Sequence, residues 1–179
     1  MNDVTTKPWY AGSQECLDYL GITSSRWGHS RTGQVILKLI KDYNISSFVE
    51  VGSQTSYLSE LVAKKYPNIM VYCIDLCFHR PHIHKEYSNL SQIVSDSVDA
   101  TSEFENKSMD LVYIDADHTY ESVKNDLAAW YPKCRTVLAG HDYNQPDFPE
   151  CTTAIEEFLE EHQSLNIKTG DYYNWWVEL

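Results

Sequence analysis

The chain has 179 residues, with 14 Lys and Arg against 26 Asp and Glu and a formal net charge of -12. That length suits one domain with a full apolar core and is short for two, while the acidic balance disfavours nucleic acid and anionic membranes as partners. Apolar residues at 42% and aromatics at 13% exclude a disordered tail.

The opening stretch MNDVTTKPWYAG has no apolar run of the signal-peptide kind, and no run of about 18 apolar residues is present to span a membrane. Cysteines stand at 16, 73, 77, 134 and 151, without the spacing of a disulfide scaffold, so reduced thiols in a cytoplasmic protein are expected. Residues 1–30 carry little pattern, with Trp9, Tyr10, Leu17, Tyr19 and Trp27 as candidate anchors onto the body.

Thr32 is a candidate cap for a helix running to about residue 43, with Ile36, Leu39, Ile40 and Tyr43 along one face. The apolar run 48–52 reads as a buried strand. A second helix is expected over 57–65, stopped by Pro67. Strands follow at 69–75, 91–96 and 110–115. A helix over 119–131 stacks Val123, Leu127 and Trp130, a strand follows at 136–140, and Thr153 with Glu156 forms a capping box for a helix to about 162. Residues 165–179 read as a terminal hairpin around Thr169-Gly170-Asp171. Alternating helices and wholly apolar strands define a doubly wound α/β domain with a mostly parallel sheet. Ligands of such domains lie outside the carboxyl ends of the strands.

At or near those ends stand Glu50, Asp75, Asp96, Asp115 and Asp142. Clustered carboxylates repel one another unless something compensates, so the expected ligand is cationic, rich in hydroxyl or amine donors, or accompanied by a metal. After the first strand comes Gly52-Ser53-Gln54-Thr55-Ser56, which keeps only one glycine of the dinucleotide fingerprint. Asp75 lies 23 positions after Gly52, about where an acid meets a ribose diol. A nucleoside site without a pyrophosphate grip follows, which lowers NAD and raises an adenosine carrying positive charge.

The runs Val49-Glu50-Val51-Gly52-Ser53, Ile74-Asp75, Ile114-Asp115-Ala116-Asp117-His118-Thr119-Tyr120-Glu121-Ser122-Val123 and Leu138-Ala139-Gly140-His141-Asp142-Tyr143 resemble a class I S-adenosylmethionine-dependent methyltransferase. The resemblance is nearest to the branch of macrocin O-methyltransferase and the cephalosporin-hydroxylase-like proteins, and it covers roughly residues 46–145. It implies a Rossmann-like sheet with an antiparallel C-terminal strand, as one domain over 1–179 with residues 1–31 as a cover on the acceptor side. It implies cofactor binding by Glu50, Gly52, Ser53, Asp75, Asp96, Ser97 and Asp115: Glu50 and Gly52 at the methionine end, Asp75 at the ribose, and Asp96 with Ser97 at the adenine. It further implies Mg2+ held by Asp115 and Asp142, with His141 where some relatives carry a third carboxylate.

The expected reaction is O-methylation of a hydroxylated small molecule or sugar. His118 or His141 would accept the proton near neutral pH, and His141 remains open as ligand or base. A non-catalytic nucleoside-binding module and an NAD-dependent oxidoreductase are the alternatives, the first because Gln54 and Ser56 could narrow the pocket. A homodimer completing a short-walled acceptor pocket is a further expectation. Cys73, Cys77, His79, His82 and His84 crowd potential zinc ligands into one segment but match no standard spacing. Tyr172-Tyr173-Asn174-Trp175-Trp176 suits sheet packing better than a sugar platform.

Overall fold

Helical and extended periodicities alternate along the chain, and each switch marks an element. The computed structural model describes residues 31–179; the segment 1–30, with the expected anchors Trp9, Tyr10, Leu17, Tyr19 and Trp27, lies outside the described residues. In chain order the elements are α1 (Arg31–Asp42), β1 (Ser47–Val51), α2 (Tyr57–Lys65), β2 (Met70–Asp75), β3 (Leu90–Val94), β4 (Met109–Ile114), α3 (Tyr120–Trp130), β5 (Cys134–Gly140), α4 (Pro149–Glu161), β6 (Lys168–Thr169) and β7 (Trp175–Glu178). They build a seven-stranded sheet of order β3-β2-β1-β4-β5-β7-β6. β1 to β5 pair in parallel, and β7 runs antiparallel between β5 and β6. This is the doubly wound sheet with an antiparallel C-terminal strand that the sequence implied.

Strands buried along their whole length, as β1 and β4 are, need cover on both faces. One face packs Val49, Val51, Val112, Ile114 and Leu138 against α3 and α4 through Leu127, Trp130, Ile155 and Phe158. The other packs Phe48, Val71, Leu111 and Val137 against α1 and α2 through Ile36, Leu39, Ile40 and Val62. The strand order reverses between β1 and β4, so the loops leaving their carboxyl ends diverge and open the cleft that the site uses. No helix among the described residues is long and apolar enough to cross a membrane.

Two helix starts differ from expectation. Thr32 sits inside α1, and its Oγ1 accepts a hydrogen bond from Asn174 Nδ2 at 3.3 Å instead of capping the helix. α4 begins at Pro149, with Thr153 already helical and donating to the Pro149 carbonyl at 3.2 Å. Proline needs no backbone partner for its nitrogen and arrives with helical φ, so it outcompetes the later capping box.

The amino ends of the strands are tied by Asp110. Its carboxylate accepts from Ser46 N at 2.8 Å, Ser47 N at 3.1 Å and Arg135 Nε at 2.5 Å. Burial alone would raise its pKa, but Arg135 and Ser46 outweigh this and hold it below the ordinary carboxylate value. Asp110→Ala should cost about 2–4 kcal/mol by stranding these donors. The carboxylate's contribution is complete above the unfolded-state pKa and disappears as pH falls through the lower folded value. Urea midpoints should therefore separate the two proteins at pH 7 and converge at strongly acid pH.

Candidate active site

The register sets the heart of the site. Val51 pairs with Ile114, and Ile114 with Gly140. Just past them, Asp115 N donates to the Val51 carbonyl at 2.9 Å and His141 N to the Ile114 carbonyl at 3.1 Å. Gly52, Asp115 and His141 are thus brought level at the exits of three adjacent strands. Gly52 has φ of +89°, and a Cβ there would lie 2.1 Å from the Asp115 carbonyl oxygen and 2.5 Å from the Ala116 Cα. Only glycine satisfies both the backbone conformation and the approach.

A cleft of about 590 Å³ opens over β1, β2 and β4, with Gly52, Asp75, Leu76, Asp96, Asp115 and Asp126 among its lining residues. Asp75 stands at the end of β2, accepting from Gln54 N at 2.7 Å and from Cys77 N at 3.0 Å. These bonds fix the carboxylate between the two loops. Asp96 accepts from Val98 N at 2.9 Å and so shapes the turn that follows. Ser97 donates its hydroxyl to the buried Asp126, while Trp130 Nε1 donates to the Ser97 carbonyl at 3.1 Å. Burial pushes Asp126 up to about 6 against the pull of Ser97. Ser53 braces the loop from within, its Oγ donating to the Glu50 carbonyl at 2.9 Å and accepting from Ile74 N at 3.2 Å. Gln54 and Ser56 both adopt positive φ, and the cleft stays open beside them.

Across Gly52 and Asp115 lies a second cleft of about 400 Å³, walled in part by Glu50, Tyr57, Leu58, His141 and Tyr172. Glu50 is buried, and its carboxyl accepts from Ser59 N at 3.1 Å and from the Ser59 hydroxyl. Burial pushes its pKa up to about 8, with the Ser59 hydroxyl opposing the rise and the charge of Asp115 adding to it. A carboxyl raised on folding stabilises fully below its unfolded-state pKa and loses that contribution as pH rises through the folded value. Glu50→Gln should therefore gain on the wild type between about pH 5 and pH 8, and urea midpoints measured across that range would show it.

Between the clefts, Asp142 braces two imidazoles. Its Oδ1 lies 2.9 Å from His141 Nδ1 and its Oδ2 lies 3.0 Å from His118 Nε2. Asp115 Oδ1 stands 3.9 Å from each of the same two nitrogens. The turn is locked from below, where Trp175 Nε1 donates to the His141 carbonyl at 3.2 Å. His118 stacks on Phe148 with ring centroids 4.1 Å apart. The neighbouring carboxylates of Asp115, foremost, and Asp142 raise the His118 pKa against the opposing effect of its partial burial. For His141, burial alone would lower the pKa, but Asp142 and Asp115 outweigh it and the net direction is upward. His141 Nε2 is buried without a hydrogen-bond partner among the described residues.

The fold brings every expected site residue to one edge of the sheet. His118, expected only as a base, also converges on Asp115 and Asp142, the one group of metal-capable side chains found among the described residues. The Cys73–His84 segment forms no such group: Cys73 is buried within β2, whereas Cys77 is exposed. Leu76 and Asp126 join the site from the structure alone. Leu76 directly follows Asp75 and is 71% exposed, an apolar platform beside the first cleft. Asp126 interrupts the buried stripe of α3, and that interruption is its signal in the sequence.

Comparison with known proteins places this geometry. The family described as "Methyltransferase domain" matches residues 49–143, and the chain belongs to that family. Its fold is that of the class I enzymes. A Staphylococcus aureus protein assigned as a caffeoyl-CoA O-methyltransferase superposes with a TM-score of 0.67 at 13% identity, covering 92% of this chain and 88% of that one. CalS11, a TDP-rhamnose 3'-O-methyltransferase of calicheamicin biosynthesis, gives 0.63 at 13% identity over 92% and 85%. TomG from Streptomyces achromogenes, solved with S-adenosylmethionine, gives 0.62 at 15% identity over 94% and 91%. Comparison with curated proteins gave no sequence match.

The residues fit S-adenosylmethionine. The glycine notch leaves space that a Cβ would close, and acids line the first cleft from Asp75 to Asp115. Asp115, His118 and Asp142 each bring one ligand atom within 4.8 Å of the others; the two carboxylates are the donors that would hold a hard cation such as Mg2+, which takes one or two carboxylates and keeps its waters.

Proposed function

We propose that the protein is an S-adenosylmethionine-dependent O-methyltransferase of hydroxylated small molecules, with sugar-containing acceptors as the leading class. The observation that carries this reading is His141. Asp142 holds its Nδ1, which leaves Nε2 as the lone-pair nitrogen; this nitrogen is buried without a hydrogen-bond partner, and the ring that carries it walls the second cleft. A buried unpaired acceptor costs about 1–3 kcal/mol, and an acceptor hydroxyl donating to it would relieve that cost. The resemblance of the fold to CalS11 supports the sugar class.

The bound cofactor supplies a methyl group already activated on a positively charged sulfur. Asp75 would accept from the ribose hydroxyls, and Leu76 with Asp96 and Ser97 would receive the adenine. Gly52 admits the chain linking sulfur to ribose. Asp115, on the wall shared by the two clefts, favours positive charge there, and Glu50 would shape the methionine end from the wall of the second cleft. The acceptor would lie in the second cleft with its hydroxyl on His141 Nε2, which takes the proton as the new bond forms. Asp142 keeps the ring in the required tautomer and stabilises the imidazolium, as a carboxylate behind a catalytic histidine does. Most of the rate enhancement would come from alignment and from this proton transfer. A second copy of the chain would close the acceptor side; a monomer in light scattering would sink this.

Calorimetric titration with S-adenosylmethionine, S-adenosylhomocysteine and NADH tests the cofactor. Micromolar binding of the first two and none of the third is expected, followed by methyl transfer in a screen of nucleotide sugars and other hydroxylated metabolites. Binding of NADH alone would overturn the reading. Binding of S-adenosylmethionine with no transfer to any acceptor would leave a cofactor-binding module.

A further inference from the structure

We propose that Asp126 is a positioning residue that turns Ser97 into an acceptor-only contact, so that the first cleft selects a base carrying an amino group over one carrying a carbonyl in its place. The inference rests on the proposed cofactor reading and names what sets the selectivity of that site. Asp126 lies on the buried stripe of α3 with Val123, Leu127 and Trp130, and it is 2% exposed. An aliphatic side chain would fill this position without the cost of burying a carboxylate. What the carboxylate adds is an acceptor. Among the described residues its side chain has one hydrogen-bond partner, the Ser97 hydroxyl.

Chemistry fixes the direction of that bond. An ionised carboxylate only accepts, whereas a hydroxyl has one hydrogen to give and two lone pairs. Burial, with the charges of Asp96 and Asp117 adding to it and Ser97 opposing, brings Asp126 up to about 6. Above that value the Ser97 hydrogen is committed to the carboxylate, and only lone pairs remain for a ligand. The serine is also held from both sides. One turn beyond Asp126 on the same face of α3, Trp130 Nε1 donates to the Ser97 carbonyl at 3.1 Å. Asp96 Oδ1, just before it, accepts from Val98 N, just after it, at 2.9 Å.

Selectivity follows from what faces the cleft. Ser97 and Asp126 both line it, together with Asp96. An amino group placed there donates to Ser97 Oγ. A carbonyl oxygen at the same point would face lone pairs with no hydrogen between them, beside the negative charge of Asp96. Unmatched polar groups of this kind are what give hydrogen-bonding sites their discrimination. Asp126→Asn undoes the arrangement, because an amide can turn its NH2 to Ser97 Oγ and release the hydroxyl hydrogen to the cleft.

Calorimetry at about pH 8, where Asp126 is ionised, compares S-adenosylhomocysteine with S-inosylhomocysteine, whose base has a carbonyl for the amino group and a hydrogen on the adjoining ring nitrogen. The wild type should prefer the adenosine compound by at least about 10-fold. Asp126→Asn should bring that ratio to within about 3-fold. Ser97→Ala should lower it as well, and adding Asp126→Asn to Ser97→Ala should change it no further, as expected of two residues acting as a unit. A packing role alone would weaken both compounds together and leave the ratio where it was. Circular dichroism establishes that each variant is folded, and Ser97→Ala carries the test if Asp126→Asn is not. Equal affinity of the wild type for both compounds, an unchanged ratio in folded Asp126→Asn or Ser97→Ala, or a further change in the double variant would each overturn the proposal alone. A folded wild type that binds neither compound would overturn the cofactor reading, and the proposal with it.

Discussion

Gly52→Ala should lose S-adenosylmethionine binding by at least about 100-fold, equivalent to about 2.7 kcal/mol, because the added methyl has no free direction to take. At φ of +89° it would stand 2.1 Å from the Asp115 carbonyl oxygen. That carbonyl belongs to the backbone leaving β4, and Asp115 N is itself tied to Val51 O at 2.9 Å. Relief requires β1 and β4 to part at their carboxyl ends or the loop to abandon its conformation, at a cost of about 2–4 kcal/mol. Either movement displaces the wall shared by both clefts. Calorimetry below the unfolding transition, together with a melting curve, measures the two effects apart. A folded variant that binds with wild-type affinity would show that the cofactor does not pass over this glycine.

His141→Ala should lower kcat by about 10²–10⁴-fold, the usual worth of a positioned general base, while the affinity for S-adenosylhomocysteine stays near that of the wild type. The separation is expected because His141 lines the second cleft and not the first. Asp142→Asn keeps the shape of the carboxyl but removes the charge that stabilises the imidazolium, so it should also reduce kcat with little effect on cofactor affinity. Full turnover in His141→Ala, on protein that binds the cofactor normally, would move the base elsewhere, with His118 next in line.

Much of the site was legible because strand ends are legible. Wholly apolar runs announce buried strands, and the first polar residues beyond them, Asp75, Asp115 and His141, must emerge at the ligand edge. Gly52 was legible for the same reason. The pairing of His118 with Asp142 was hidden, since 24 positions separate them and their meeting depends on the turn after Ile114 and on β5 lying beside β4. Leu76 was hidden because an exposed leucine looks ordinary in sequence. Asp126 left a trace, an acid on the stripe of Val123, Leu127 and Trp130, yet its bond to Ser97 could be seen only once α3 had packed. The start of α4 went to Pro149 because a backbone preference overrode the polar pattern that followed it.

The strand order also has a consequence for biosynthesis. β7 comes last in the chain but lies inside the sheet, between β5 and β6. As the polypeptide leaves the ribosome, β1 to β5 can assemble in turn, bringing Gly52, Asp75 and Asp115 together. Until Trp175–Glu178 emerges, β5 presents an unpaired edge carrying the apolar Val137, Leu138 and Ala139, the kind of edge that recruits other chains. The indole that fixes the His141 carbonyl arrives on this same final strand. Docking of the last strand thus closes the most adhesive edge of the nascent protein and sets its catalytic turn in a single event.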